Sequence, residues 1–155
     1  MAYNSRGDDL DLQKLFADLV RCETRLYNAL NERLRSEHGM ATSQFEFLRF
    51  LREHSGARVA DLAAEFAIGA GATSKGVDRL ERQGWIVRQI NPADRRSSLL
   101  ALTDEGRRRV EAAERTVTAC LSELIEDTLG TRSVADALGL LRSALEQHRI
   151  GIPTG

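Results

Sequence analysis

The sequence has little of what marks special chemistry. Of its 155 residues only two are cysteines, Cys22 and Cys120, and they stand far apart. That spacing excludes a disulfide scaffold and a Cys-x-x-Cys metal knuckle, so both read as buried structural thiols. The three histidines, His38, His54 and His148, lie on separate segments, none within a Ser/His/Asp or Cys/His pattern. No glycine-rich phosphate loop follows a strand, since Gly69 and Gly71 come after a helical stretch. No enzyme activity, metal or cofactor is therefore expected. No apolar run approaches the roughly 20 residues that cross a bilayer. The first nine residues, M-A-Y-N-S-R-G-D-D, contain no apolar signal core. A cytoplasmic protein without a membrane partner is the expectation.

Net charge is also missing: 22 basic residues face 23 acidic ones, for a balance of −1. The distribution is uneven, however. Residues 75–109 hold nine basic and five acidic groups, a local balance of +4, whereas residues 110–155 hold four and seven. Binding responds to the local field, so a polyanionic partner stays open.

Helical periodicity dominates what is present. Leu12, Leu15, Phe16, Leu19, Leu26, Leu30 and Leu34 recur at three- and four-residue intervals, and His38-Gly39 ends that helix. Ser43 and Glu46 read as a capping box opening a second helix, which Ser55-Gly56 breaks. A short helix over about Val59 to Phe66 precedes a tight connection containing Gly69 and Gly71. The next helix, about 71–83, buries Val77 and Leu80. Trp85 to Ile90 and Ser98 to Leu102 flank a turn at Asn91-Pro92 and read as a hairpin. Thr103 suits the N-cap of a fifth helix reaching Leu129-Gly130. A last helix, Ser133 to Gln147, carries Val134, Leu138, Leu141 and Leu145, expected inward.

The order helix, short helix, tight turn, helix, hairpin over residues 42–103 predicts a winged helix-turn-helix in a mainly α fold with a small β-hairpin wing. Such a helix pair lets the second helix offer its first side chains to a DNA major groove while the first braces it. Left outward by this reading are Thr73, Ser74, Lys75 and Arg79, all hydrogen-bond donors for phosphates or base edges. The hairpin tip holds Asp94, Arg95 and Arg96, which the turn itself does not need. A wing beside the recognition helix can bring an arginine to the adjacent minor groove. Asp94 is expected to hold the Arg96 guanidinium by a charge-assisted bond.

Several runs carry a resemblance. S-K-G-V-D-R-L-E-R-Q-G over 74–84, W-I-V-R over 85–88, P-A-D-R-R over 92–96 and L-L-A-L-T-D-E-G over 99–106 resemble the MarR family of bacterial winged-helix transcriptional regulators. The resemblance implies a homodimer, often a repressor released by a small molecule, and covers nearly the whole chain. It implies that Ser74, Lys75 and Arg79 face DNA, that Arg88 lies near the phosphate backbone, and that Arg96 enters the minor groove with Asp94 orienting it. Gly76 departs from the pattern, in which a larger apolar residue is usual, and this puts the packing of that helix in question.

The terminal helices offer more apolar face than one small domain can hide. Residues 10–40 and 104–149 are therefore expected to pair two copies, with 1–9 and 150–155 as flexible ends. Two recognition helices would then meet an inverted repeat with half-site centres about 10 base pairs, or a multiple, apart. A small aromatic or amphipathic effector is expected between the pairing helices and the winged domain, with Phe16, Leu19, Phe45 and Trp85 as candidate lining. Two other readings are a redox-sensing regulator of the same fold and a winged-helix protein-interaction module. A metal-sensing site from Glu23, Glu37 and His38 is disfavoured, because a solvated helix end explains these residues. Light scattering at micromolar concentration should give a dimer; a sole 17.2 kDa species would overturn the pairing.

Overall fold

The computed structural model describes residues 10–126 and 130–153; the expected flexible segment 1–9 and residues 154–155 lie outside the described residues. Helix α1 (Leu12–His38) begins where the Asp11 carboxylate accepts the Lys14 N–H at 3.0 Å. It ends at Gly39, whose φ of 61° lets its N–H and that of Met40 return to the carbonyls of Arg35 and Leu34.

Helix α2 (Thr42–Glu53) starts two residues earlier than the Ser43–Glu46 box predicts. Ala41 stands at its N-cap and has no acceptor of its own. Its neighbours fill the need: Gln44 Oε1 accepts the Ala41 N–H at 2.8 Å, and Asn31 of α1 accepts the Thr42 N–H at 3.2 Å. Helices α3 (Val59–Glu65) and α4 (Ala70–Arg82) follow. The turn between them does not depend on Gly69 or Gly71. The left-handed residue is Ala67, at φ 49°, and a Cβ added at Gly69 or Gly71 would meet nothing within 4 Å. Gly76 is filled from outside: a Cβ there would lie 2.9 Å from the Phe47 ring of α2. That ring, tilted against Phe66 at 5.4 Å, takes the place of the larger residue usual at position 76.

Strands β1 (Ile86–Ile90) and β2 (Ser98–Leu102) pair antiparallel with Arg88 opposite Leu100. A lone hairpin is marginal. This one leans on the α2–α3 connection, where the Leu100 N–H donates to Ala57 O at 2.8 Å, and on a core that takes in Ile86 and Leu100. Helix α5 (Asp104–Leu121) continues as a π-helical turn, Ser122–Glu126, and α6 (Thr131–Gln147) starts after Gly130 at φ 82°. The core joins Leu34, Phe45, Leu48, Leu62, Leu80 and Val110, so one apolar cluster ties α1 through α5 together.

The L-T-x-x-G run has a clear physical reason. The Thr103 hydroxyl accepts the Gly106 N–H at 3.0 Å and donates to Gly84 O at 2.7 Å, while its main-chain N–H donates to Trp85 O at 3.0 Å. One residue thus caps α5 and closes the base of the hairpin. Trp85 O lies so close to Gly106 that a Cβ there would sit 1.9 Å from it. Only glycine permits that approach.

The ends of the chain behave otherwise. Val134, Leu138, Leu141 and Leu145 of α6 are exposed in the protomer, correcting the expectation that they turn inward. Leu12, Leu15 and Phe16 of α1 are exposed as well, Phe16 at 67%. Bidentate pairing of Arg52 with Glu114, at 2.9 and 2.8 Å, joins α2 to α5.

Two glycine substitutions should separate these effects. Gly106→Ala forces the Trp85 carbonyl out and should cost about 1–3 kcal/mol or more. Gly71→Ala, with open space for its methyl, should stabilise by about 0.5 kcal/mol. Denaturant unfolding at fixed protein concentration checks the opposite signs.

Candidate nucleic-acid interface

Helix α4 sorts its residues by period. Thr73, Val77 and Leu80, spaced by four and three, are buried, and Lys75 and Arg79, four apart, are exposed. Thr73 therefore does not face outward as the sequence reading has it. It is fully buried, and its hydroxyl donates back to Gly69 O at 2.9 Å. It holds the first turn of α4 from within. Ser74 is half-buried at the edge of the exposed face.

Arg88 is also placed differently from the expectation of a phosphate contact. Its guanidinium donates to Asp78 Oδ1 at 2.6 Å and to Glu81 Oε2, clamping β1 to α4. Burial alone would lower its pKa, but the two carboxylates more than reverse this, so the group is held above the usual arginine range. The sequence signal for this clamp was available: Asp78 and Glu81 are three apart and share the helix face that β1 must pass.

The third difference concerns the wing tip. Asp94 does not grip the Arg96 side chain; its Oδ1 accepts the Arg96 main-chain N–H at 3.0 Å. A carboxylate two residues back meets the backbone of a tight turn before it can reach a long side chain. The guanidinium groups of Arg95 and Arg96 are left in solvent. Behind the tip, Arg58 pairs with Asp61 at 3.2 Å, and that bond, with the more distant charge of Asp94, raises its pKa. Among the described residues, Lys75, Arg79, Arg95 and Arg96 form no side-chain ion pair, while Arg52, Arg58 and Arg88 each have carboxylate partners. Four cations without an ion pair thus stand on the exposed α4 face and the wing tip, beside the clamped Arg88.

The four residues expected to line an effector pocket do not come together. Phe45 and Trp85 are core residues, Leu19 is half-buried, and Phe16 projects from α1. Trp85 instead carries the Arg109 guanidinium over its ring at 5.4 Å. Two open concavities do exist. One of about 370 Å³ runs along α1 at Val20, Thr24 and Asn28; another of about 230 Å³ involves Glu46, Phe50, Phe66 and Arg142. Of the two thiols only Cys120 is buried; Cys22 is exposed on α1 because it lies on the uncovered half of that helix. No helix among the described residues is long and apolar enough to cross a membrane.

The arrangement is a winged helix-turn-helix. Residues 38–97 match the model of the MarR family. The chain is 27% identical over 107 residues to the uncharacterized HTH-type transcriptional regulator YdgJ of Bacillus subtilis (strain 168). That match covers 68% of this chain but 65% of the relative, so the chain spans just under two thirds of its length. The same fold occurs in Sco3205, a MarR family transcriptional regulator from Streptomyces coelicolor in complex with DNA, at TM-score 0.80 and 24% identity over 91% of both chains. CouR from Rhodococcus jostii RHA1, bound to p-coumaroyl-CoA, is 27% identical at TM-score 0.71 over 91% of this chain and 94% of its own. The transcriptional repressor CouR bound to a 23-mer DNA duplex aligns at TM-score 0.74 and 25% identity, over 88% of this chain and 98% of its own.

Thr73→Val should expose the difference between the sequence reading and the structure. Losing the bond to Gly69 should cost about 1 kcal/mol of stability, while the salt dependence of any DNA binding stays as in the wild type.

Proposed function

We propose that the chain is a transcriptional regulator that binds double-stranded DNA as a homodimer on an inverted-repeat operator, acting as a repressor released by a small molecule. The carrying observation is the segregation of charge: Lys75, Arg79, Arg95 and Arg96 are left without carboxylate partners, whereas the nearby Arg88 is neutralised by Asp78 and Glu81. Exposed cations without counter-charges repel one another and gain most from a polyanion, whose condensed counterions they release. In this reading Ser74, Lys75 and Arg79 meet the major groove, Arg95 the phosphates and Arg96 the minor groove, within a DNA-binding domain of residues 42–103.

Pairing rests on the exposed apolar faces of α1 and α6, within 10–40 and 104–149, which a second copy would cover. Two wings and two recognition helices then read half-sites related by the dimer axis. The effector, an aromatic or amphipathic molecule, acts by preferring a half-site spacing that does not fit DNA, and its differential affinity bounds the shift. That CouR has structures both with DNA and with p-coumaroyl-CoA supports this class of control.

Selection of tight binders from random duplexes should return a palindrome. On it, Lys75→Ala should lower the salt slope by about one if the ammonium meets only phosphate. Arg96→Ala should weaken binding about tenfold, most at A·T-rich flanks, with the dimer still folded. Wild-type binding by both variants would sink the interface.

A further inference from the structure

We propose that Asn91 is a positioning residue for DNA readout: its buried side-chain amide locks the wing loop that presents Arg96. The inference rests on the wing reading above. Residues 91–97 form a loop far longer than a two-residue hairpin turn, so turn geometry alone does not order it. Arg95 and Arg96 are exposed within it, yet Asn91 at its entrance is only 8% exposed. A buried amide must use its polar atoms, and this one spends both on the loop.

The network has one consistent direction. The Ala93 N–H can only donate, so it must meet the amide oxygen, at 3.0 Å. The Asn91 Nδ2 is thereby turned to Ser97, donating to its Oγ at 3.0 Å. With that oxygen accepting, the Ser97 hydroxyl hydrogen goes to Asp94, whose carbonyl and Oδ2 lie at 3.3 and 3.4 Å. Asp94 Oδ1 in turn accepts the Arg96 N–H. Main-chain bonds from Asp94 N to Asn91 O, 3.3 Å, and from Ser97 N to Asp94 O, 3.1 Å, fold the same stretch into two successive turns. The backbone of Arg96 is thus fixed through Ser97 and Asp94 by a residue that is itself shielded from any partner. Fixing the loop beforehand removes part of the ordering cost when the guanidinium enters a groove.

A double-mutant cycle on the full-length protein, binding its selected operator duplex, tests this. Asn91→Ala and Ser97→Ala should each weaken binding about threefold to tenfold, and Arg96→Ala added to either should then cost clearly less than it does in the wild type. Lys75→Ala should keep its full effect in the same backgrounds, which a general loss of stability would not produce. Ser97→Thr, which keeps the hydroxyl, should bind as the wild type does. If thermal melting shows that Asn91→Ala does not fold, Ser97→Ala carries the cycle. Full additivity with Arg96→Ala, while Arg96→Ala alone weakens binding, overturns the positioning role and leaves the wing reading standing. An Arg96→Ala protein that binds as wild type overturns both.

Discussion

The fold turns on the seat of the Trp85 carbonyl against the bare backbone of Gly106. There the hairpin base, the end of α4 and the start of α5 become one body, because Thr103 bonds Gly84, Trp85 and Gly106 together. The Trp85 ring is held from the other side by Arg109, which also reaches His38 O at 3.2 Å at the end of α1. The end of α1 is thereby tied to the base of the hairpin and the start of α5 at this point. A helix cap that also closes a hairpin makes the formation of either contingent on the other, which favours all-or-none folding of the unit.

From that rigid base the charges of α4 are divided. Asp78 and Glu81 are drawn to Arg88 on the strand side, and Lys75 and Arg79 keep the open side. A carboxylate three residues from an ammonium would otherwise dull its field. The clamp therefore has an electrostatic effect beyond fastening the strand: it removes negative charge from the neighbourhood of the helix face that remains cationic.

Much of this was legible in the chain itself. The elements follow the apolar period closely, and Gly39 and Thr103 mark helix ends by the conformations and bonds those residues favour. The residues misjudged were those whose role depends on a partner remote in sequence. Thr73 has a polar side chain but lies on the helix sector filled by Val77 and Leu80, so burial overrode its chemistry. Arg88 was assigned by its place in a familiar run, while its carboxylates sit on another element. The Ser43–Glu46 pattern fitted a cap, yet Gln44 and Asn31 of α1 take the first N–H groups and α2 starts two residues earlier. Phe16, Leu19, Phe45 and Trp85 are all apolar, and apolarity does not tell a core residue from a pocket wall or an uncovered face.

The Phe47 ring lying against Gly76 ties two positions on different helices into a single volume. Neither can enlarge while the other stays as it is. Drift at this spot must then proceed by paired exchange, a smaller group on α2 opening room for a branched one on α4. Chains descended from this one should carry either the aromatic with the glycine or the reverse arrangement, and seldom two bulky side chains at once.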